Sequence, residues 1–235
     1  MYLRGMKTLI AHIFFSGVCF CANGQSFAII NDPDGYVNIR EGRSVTSRIV
    51  GKINNYNVFD YDKSSKSEWV WVYKQEVEDE SGGIAGFVHQ SRILPLSSFK
   101  TIKNTSFFKD SCVGRNDSIT VVIKSSPFNP LKHKVVYTDK ELEKIDGKSS
   151  RGMYRTLPKK AISSFKIIKS GIPILIPESA FDNLYEPRFK TLKIFVQTND
   201  TFYIELDNGE GDGAYTVIWI IKGSKYFKKF AESTV

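Results

Sequence analysis

Short apolar runs separated by turn residues fill the chain beyond its first two dozen positions. Phe27-Ala28-Ile29-Ile30 is closed by Asn31-Asp32-Pro33-Asp34-Gly35, a dense turn signal. Val37 and Ile39 then alternate with Asn38 and Arg40, and Ile49, Gly51 and Ile53 alternate with Val50 and Lys52. Val58 to Tyr61 and Trp69 to Tyr73 add two β-branched and aromatic runs. Glu76 to Gly83 reads as an acidic hairpin tip, from which Gly86-Phe87-Val88-His89 leads out. Strands this short and this closely spaced predict a small barrel.

Leu96 to Phe107 has no sustained period, which predicts a short linker, taken as 97–107, or a crossing strand. Strands are expected again at Ile119 to Ile123, Lys134 to Tyr137 and Ser163 to Lys169. Gly171 to Pro177 reads as an edge strand, because Pro173 and Pro177 cannot donate to a ladder. Glu178 to Tyr185 reads as a helical turn. A meander follows through Leu192 to Gln197, Thr201 to Leu206, Tyr215 to Ile221 and Tyr226 to Phe230. The expected fold class is therefore all-β, a small barrel followed by a second, mainly antiparallel β domain over 108–235.

The first 24 residues are set apart by a different pattern. Arg4 and Lys7 precede the apolar run Thr8 to Phe20, and no acidic residue occurs before Asp32. That run is 13 residues long, against roughly 20 for a spanning helix. The layout predicts a signal peptide over 1–24 cleaved after Gly24, a periplasmic or extracellular destination, and no transmembrane helix in the mature chain. Lipidation at Cys19 or Cys21 is disfavoured by Val18 and Phe20, which stand where a small residue is required. Cleavage leaves Cys112 alone and so excludes an intramolecular disulfide.

Composition adds one thing. Residues 25–103 carry ten basic and ten acidic side chains, whereas residues 104–235 carry 21 basic and 15 acidic, so the excess charge of +6 lies in the second half.

Four motifs carry a family resemblance. In order they are Tyr36-Val37-Asn38-Ile39-Arg40-Glu41-Gly42, Ile49-Val50-Gly51-Lys52-Ile53, Trp69-Val70-Trp71-Val72 and Gly86-Phe87-Val88-His89-Gln90-Ser91-Arg92-Ile93-Leu94. Together they resemble the bacterial SH3-like domain across residues 27–96. The resemblance implies a half-open barrel that targets cell-wall material or peptides and is joined to other envelope domains. Glu76 to Gly83 and Tyr61 to Ser67 are longer polar excursions than that fold requires. The second half resembles only uncharacterised β-rich envelope domains.

On a strand, Trp69, Trp71 and Tyr73 share one face and Val70 and Val72 the other. The valines suit the barrel core. The aromatics form either a ligand platform or the seam against the second domain, with Tyr36 and Tyr61 as further members of a platform, since SH3-like folds bind along aromatic-lined grooves. Lys148, Arg151, Arg155, Lys159 and Lys160, followed by Lys166 and Lys169, form a basic tract with no acidic residue between Asp146 and Glu178. It is a solvated face or a contact for an anionic polymer; nucleic acid is disfavoured by export. Cys112 lacks a strand-to-helix nucleophile context and reads as an unpaired thiol in a linker or strand edge. Asp207 to Gly213 is rich in oxygen ligands, but its spacing is not that of a calcium loop, and a glycine turn accounts for it. No metal or cofactor is implied. The expected function is a non-catalytic envelope binding protein that meets cell-wall fragments or a protein or peptide partner. The alternative is a periplasmic inhibitor or immunity-type protein.

Overall fold

The computed structural model describes residues 26–75, 82–149 and 156–233. The expected signal peptide, the acidic tip at 76–81, and Arg151 and Arg155 lie outside the described residues. The fold is all-β, and the helical segments among the described residues are single 3-10 turns. None of them is long and apolar enough to cross a membrane.

Strands β1 (Phe27–Ile30), β2 (Tyr36–Arg40), β3 (Ile49–Asn54), β4 (Phe59–Tyr61), β5 (Trp69–Gln75), β6 (Gly83–His89) and β7 (Ile93–Pro95) form one curled sheet in the order β3-β2-β6-β5-β4-β1-β7. Alternation sends Val37, Ile39, Ile53, Val72 and Val88 inward onto Ala28, Ile30 and Phe59, giving the sheet a core of its own. Val70 and Val72 are buried, as the alternation predicts, and Trp71 remains 46% exposed.

β8 (Lys100–Thr101) and β9 (Asn104–Phe108) fall in the stretch read as a linker or crossing strand, and they join two different sheets. Each buries too little side chain to show a period; Ile102 and Leu96 are the anchors. β10 (Ser111–Arg115), β11 (Ile119–Pro127), β12 (Val135–Thr138), β13 (Glu141–Ile145), β14 (Lys148–Ser149), β15 (Lys160–Lys169) and β16 (Ile172–Ile174) follow. β17 (Lys193–Val196), β18 (Thr201–Asn208), β19 (Tyr215–Lys222) and β20 (Lys225–Ser233) complete the chain. Two five-stranded sheets, β16-β15-β11-β10-β9 and β20-β19-β18-β17-β8, face each other, while β12-β13-β14 forms a small third sheet.

Between the facing sheets lie Val121, Ile123, Phe165 and Ile167 from one side and Phe202, Ile204, Val217 and Trp219 from the other. The opposite face of β18 and β19 is buried as well. Tyr203, Ile218 and Ile220, with Phe195 and Phe230, pack on Phe27, Ile29, Val58 and Leu96 of the first half. The β17 to β20 sheet is therefore the middle of three layers. This is why Tyr215 to Ile221 reads as an unbroken apolar run instead of alternating. Lys222 adds a polar contact across the same junction, its ammonium 3.8 Å from the centre of the Tyr56 ring.

Candidate functional site

Within the curled sheet the β2–β3 hairpin joins the other strands at a single residue pair. β2 and β6 are paired only at Arg40 and Phe87. Gly86 permits that approach, because a Cβ there would lie 2.5 Å from the Arg40 carbonyl oxygen. Continuing the antiparallel register would set Asn38 against His89 and Tyr36 against Ser91, but neither pair is bridged. A groove of about 450 Å³ opens there, lined by Tyr36, Asn38, Trp69, His89 and Arg92, with Val37 and Val88 beneath them.

Its walls are held by polar contacts. Asp32 is buried at one end, takes the Asp34 backbone N–H at 3.0 Å and forms an ion pair with Arg92. Asn55 exchanges two hydrogen bonds with the Asp32 backbone, at 2.9 and 2.7 Å. At the other end Arg40 donates to the Ser47 carbonyl at 2.8 Å, fixing the loop that carries Val45. His89 Nδ1 accepts the Ser91 backbone N–H at 3.3 Å, and its ring stands edge-on to Trp69 at 5.4 Å. Lys52 lies 4.2 Å from the centre of the Tyr36 ring. One group is left over: Asn38 Oδ1 is buried and has no hydrogen-bond partner among the described residues. An unpaired buried acceptor of this kind costs roughly 1–3 kcal/mol.

Of the five aromatic candidates, Tyr36 and Trp69 meet in the groove and the other three do not. Trp71 lies edge-on to Phe87 at 5.3 Å, with Arg43 on the Phe87 ring at 5.0 Å. Tyr73 covers Gly83, where an added Cβ would fall 2.8 Å from the tyrosine ring. Tyr61 packs against the barrel core, and burial raises the pKa of its hydroxyl. None of the three Trp69-Trp71-Tyr73 aromatics is part of the seam between halves, which Phe27, Ile29, Val58 and Leu96 supply. Asn38, His89, Asp32 and Arg92 were not among the expected site residues, because pattern alone reads them as strand or turn polars.

Among the described residues the basic tract is not a continuous cationic face. Lys148 pairs with Asp182 at 3.2 Å, Lys160 with Asp110 at 2.6 Å, and Lys169 with Asp200, while Lys159 and Lys166 are exposed. Cys112 sits in β10, the second strand of its sheet, fully buried, and burial pushes its thiol up to about 12. It is a core residue and not the strand-edge thiol expected, and a thiol so protonated is a poor nucleophile. Asp207 to Gly213 forms a turn with positive φ at Gly209 and Gly211. Among the described residues no three His, Cys, Asp or Glu side chains gather as metal ligands. Family models, characterised proteins and solved structures show no match to the chain.

Proposed function

We propose that the chain is an exported, non-catalytic binding protein of the bacterial envelope, whose SH3-like first half holds an extended peptide of cell-wall or protein origin. The observation that carries this reading is the β2–β6 ladder that stops after one pair, beside the buried Asn38 oxygen that no group among the described residues donates to. A strand-like ligand can lie along that gap and add main-chain hydrogen bonds, as in peptide recognition by strand addition. Tyr36 and Trp69 flank the gap and supply the aromatic contacts. Arg92 and Asp32 neutralise each other at its end, so the groove asks for an uncharged or mixed segment and not a polyanion.

The test is binding of purified protein to isolated cell walls and to peptides released from them, by co-sedimentation and fluorescence titration. Trp69→Ala should cost on the order of 2 kcal/mol of affinity, Asn38→Ala should weaken binding, and Trp71→Ala should leave it nearly unchanged. No binding to walls or peptides, together with co-purification of one stoichiometric folded protein from envelope extract, would replace this reading with the inhibitor class. Loss of binding in Trp71→Ala and not in Trp69→Ala would move the site off the groove.

A further inference from the structure

The β16-β15-β11-β10-β9 sheet is the outer layer of the second half, and one of its faces is spent on the sandwich core. Cys112, Val121, Ile123, Phe165 and Ile167 point into that core. Alternation turns their neighbours the other way, Val113 and Arg115 on β10, Val122 and Lys124 on β11, Lys166 and Ile168 on β15. Strand pairing sets these side chains next to one another. Val113 stands opposite Val122 and Val122 opposite Lys166, with Lys124 and Arg115 in the rows on either side. At one edge Phe108 of β9, opposite Ser111, carries the same face on and is 60% exposed. Towards the other edge Ile168, 41% exposed, stands opposite Pro173 of β16.

The charge on this face has one sign. Arg115, Lys124 and Lys166 are exposed, and none of them is in an ion pair among the described residues. No Asp or Glu occupies a position on these five strands. The acidic residues nearest in sequence stand in the turns. Asp110 is held by Lys160 at 2.6 Å, and Asp117 lies in the β10–β11 turn beyond the last strand pair. Lys166 is thus the member of the basic tract that joins cations from two other strands instead of meeting a carboxylate.

Three unpaired cations beside exposed apolar side chains call for an anionic partner that also takes up apolar surface. A second copy of this chain would set the same three cations against themselves. A soluble polyanion would use the cations and leave Phe108 and Ile168 in water. A protein interface has an apolar centre and a charged rim; here the cations stand on the three inner strands and the most exposed apolar ring stands on an edge strand. A lipid surface meets both demands, because headgroups take the cations while the boundary beneath them takes the apolar groups. We propose that this open sheet face docks the protein on an anionic lipid surface, as a contact separate from the peptide groove.

The experiment is co-sedimentation of the full protein with vesicles of equal parts phosphatidylglycerol and phosphatidylcholine, and with phosphatidylcholine vesicles alone. The protein should bind the first and not the second, and added salt should release it. Arg115→Ser, Lys124→Ser and Lys166→Ser should each lower partitioning roughly fivefold at an unchanged melting temperature. Phe108→Ser and Ile168→Thr should lower it too, with no change of charge. Lys63→Ser, an exposed lysine of the barrel, and Trp69→Ala, in the groove, should bind vesicles as the wild type does, so lipid and peptide binding are read separately. The proposal is overturned if anionic vesicles do not bind at low salt, if neutral vesicles bind equally, or if Lys63→Ser loses as much as Lys166→Ser, which would make net charge the cause. It is overturned as well if Phe108→Ser and Ile168→Thr both bind like the wild type, which would mark an acidic polymer or protein as the partner.

Discussion

The three-layer arrangement predicts that the two halves do not unfold independently, and Phe230 offers a direct way to test this. Its side chain lies on β20 of the second half, 5% exposed, with its ring edge-on to Phe27 of the barrel at a centroid distance of 5.6 Å. Around it stand Tyr203, Ile218, Ile220 and Leu96, which close the junction too tightly for simple collapse after truncation. Phe230→Ala should therefore cost about 3–5 kcal/mol, the usual figure for a buried phenylalanine. Roughly 1 kcal/mol of that belongs to the edge-on pair with Phe27. In a chain of this size each kcal/mol lowers the melting temperature by about 2–4 °C, so a fall of roughly 6–20 °C is expected. Calorimetry gives the fall, and hydrogen exchange read by mass spectrometry shows where it is felt. The amides of β1 and β4 should lose protection together with those of β18 to β20, although the substitution is far away in sequence. If the barrel strands keep wild-type protection while the sandwich strands lose theirs, the junction is a passive contact and the reasoning fails.

Three other outcomes are expected. Cys112, buried and protonated, should resist iodoacetamide in the native protein and react only after unfolding; peptide mapping that finds rapid native labelling at Cys112 would contradict its placement. Glu205 is raised above the ordinary carboxylate pKa by burial, against the opposing Lys193 contact at 2.6 Å. Its folded state holds the proton more tightly than the unfolded one, so the stability it contributes is full below the unfolded pKa and lost as pH rises through the folded value. Urea titrations of Glu205→Gln across the acid range should lack that decline, and parallel profiles for the two proteins would refute the assignment. At Gly114 a Cβ would sit 2.5 Å from Ile194 Cδ1, so Gly114→Ala should cost about 1–3 kcal/mol by overpacking. Ile194→Val removes the offending methyl and should recover part of the loss, whereas strict additivity in thermal melts would show that the two sites do not touch.

How much of this was legible beforehand depended on how many faces of each strand are covered. Where one face meets the core and the other meets water, as in Tyr36 to Arg40 and Trp69 to Tyr73, alternation marked both the strand and the buried side. Where both faces are covered the strand was legible but its partners were not. Tyr215 to Ile221 announces burial without saying that Ile218 and Ile220 touch the barrel while Val217 and Trp219 touch the other sheet. β8 and β9 are the converse case. They are held by strand pairing and a few anchors, so the pattern left a linker and a crossing strand both open. The sheet β12-β13-β14 was half legible, since Val135 and Val136 stand out whereas Glu141 to Ile145 has two apolar residues among charged ones.

The sites were less legible than the strands because a shared face is wider than a groove. Trp69, Trp71 and Tyr73 lie on one side of β5, but each step of two residues moves about 7 Å along a strand. The groove is set by a different event, the point at which β2 leaves β6, and this falls beside Trp69. Tyr36 reaches it because β2 forms the facing wall; Tyr61, across the sheet on β4, does not. Asn38 occupies an outward position on β2 and its pattern reads as solvent-facing, yet the curl of the sheet buries its oxygen without supplying a donor. Periodicity reports which way a side chain points relative to its own strand. Unspent hydrogen-bonding capacity depends on what other strands place in front of it, as at Asn38, and no pattern along β2 alone can report that.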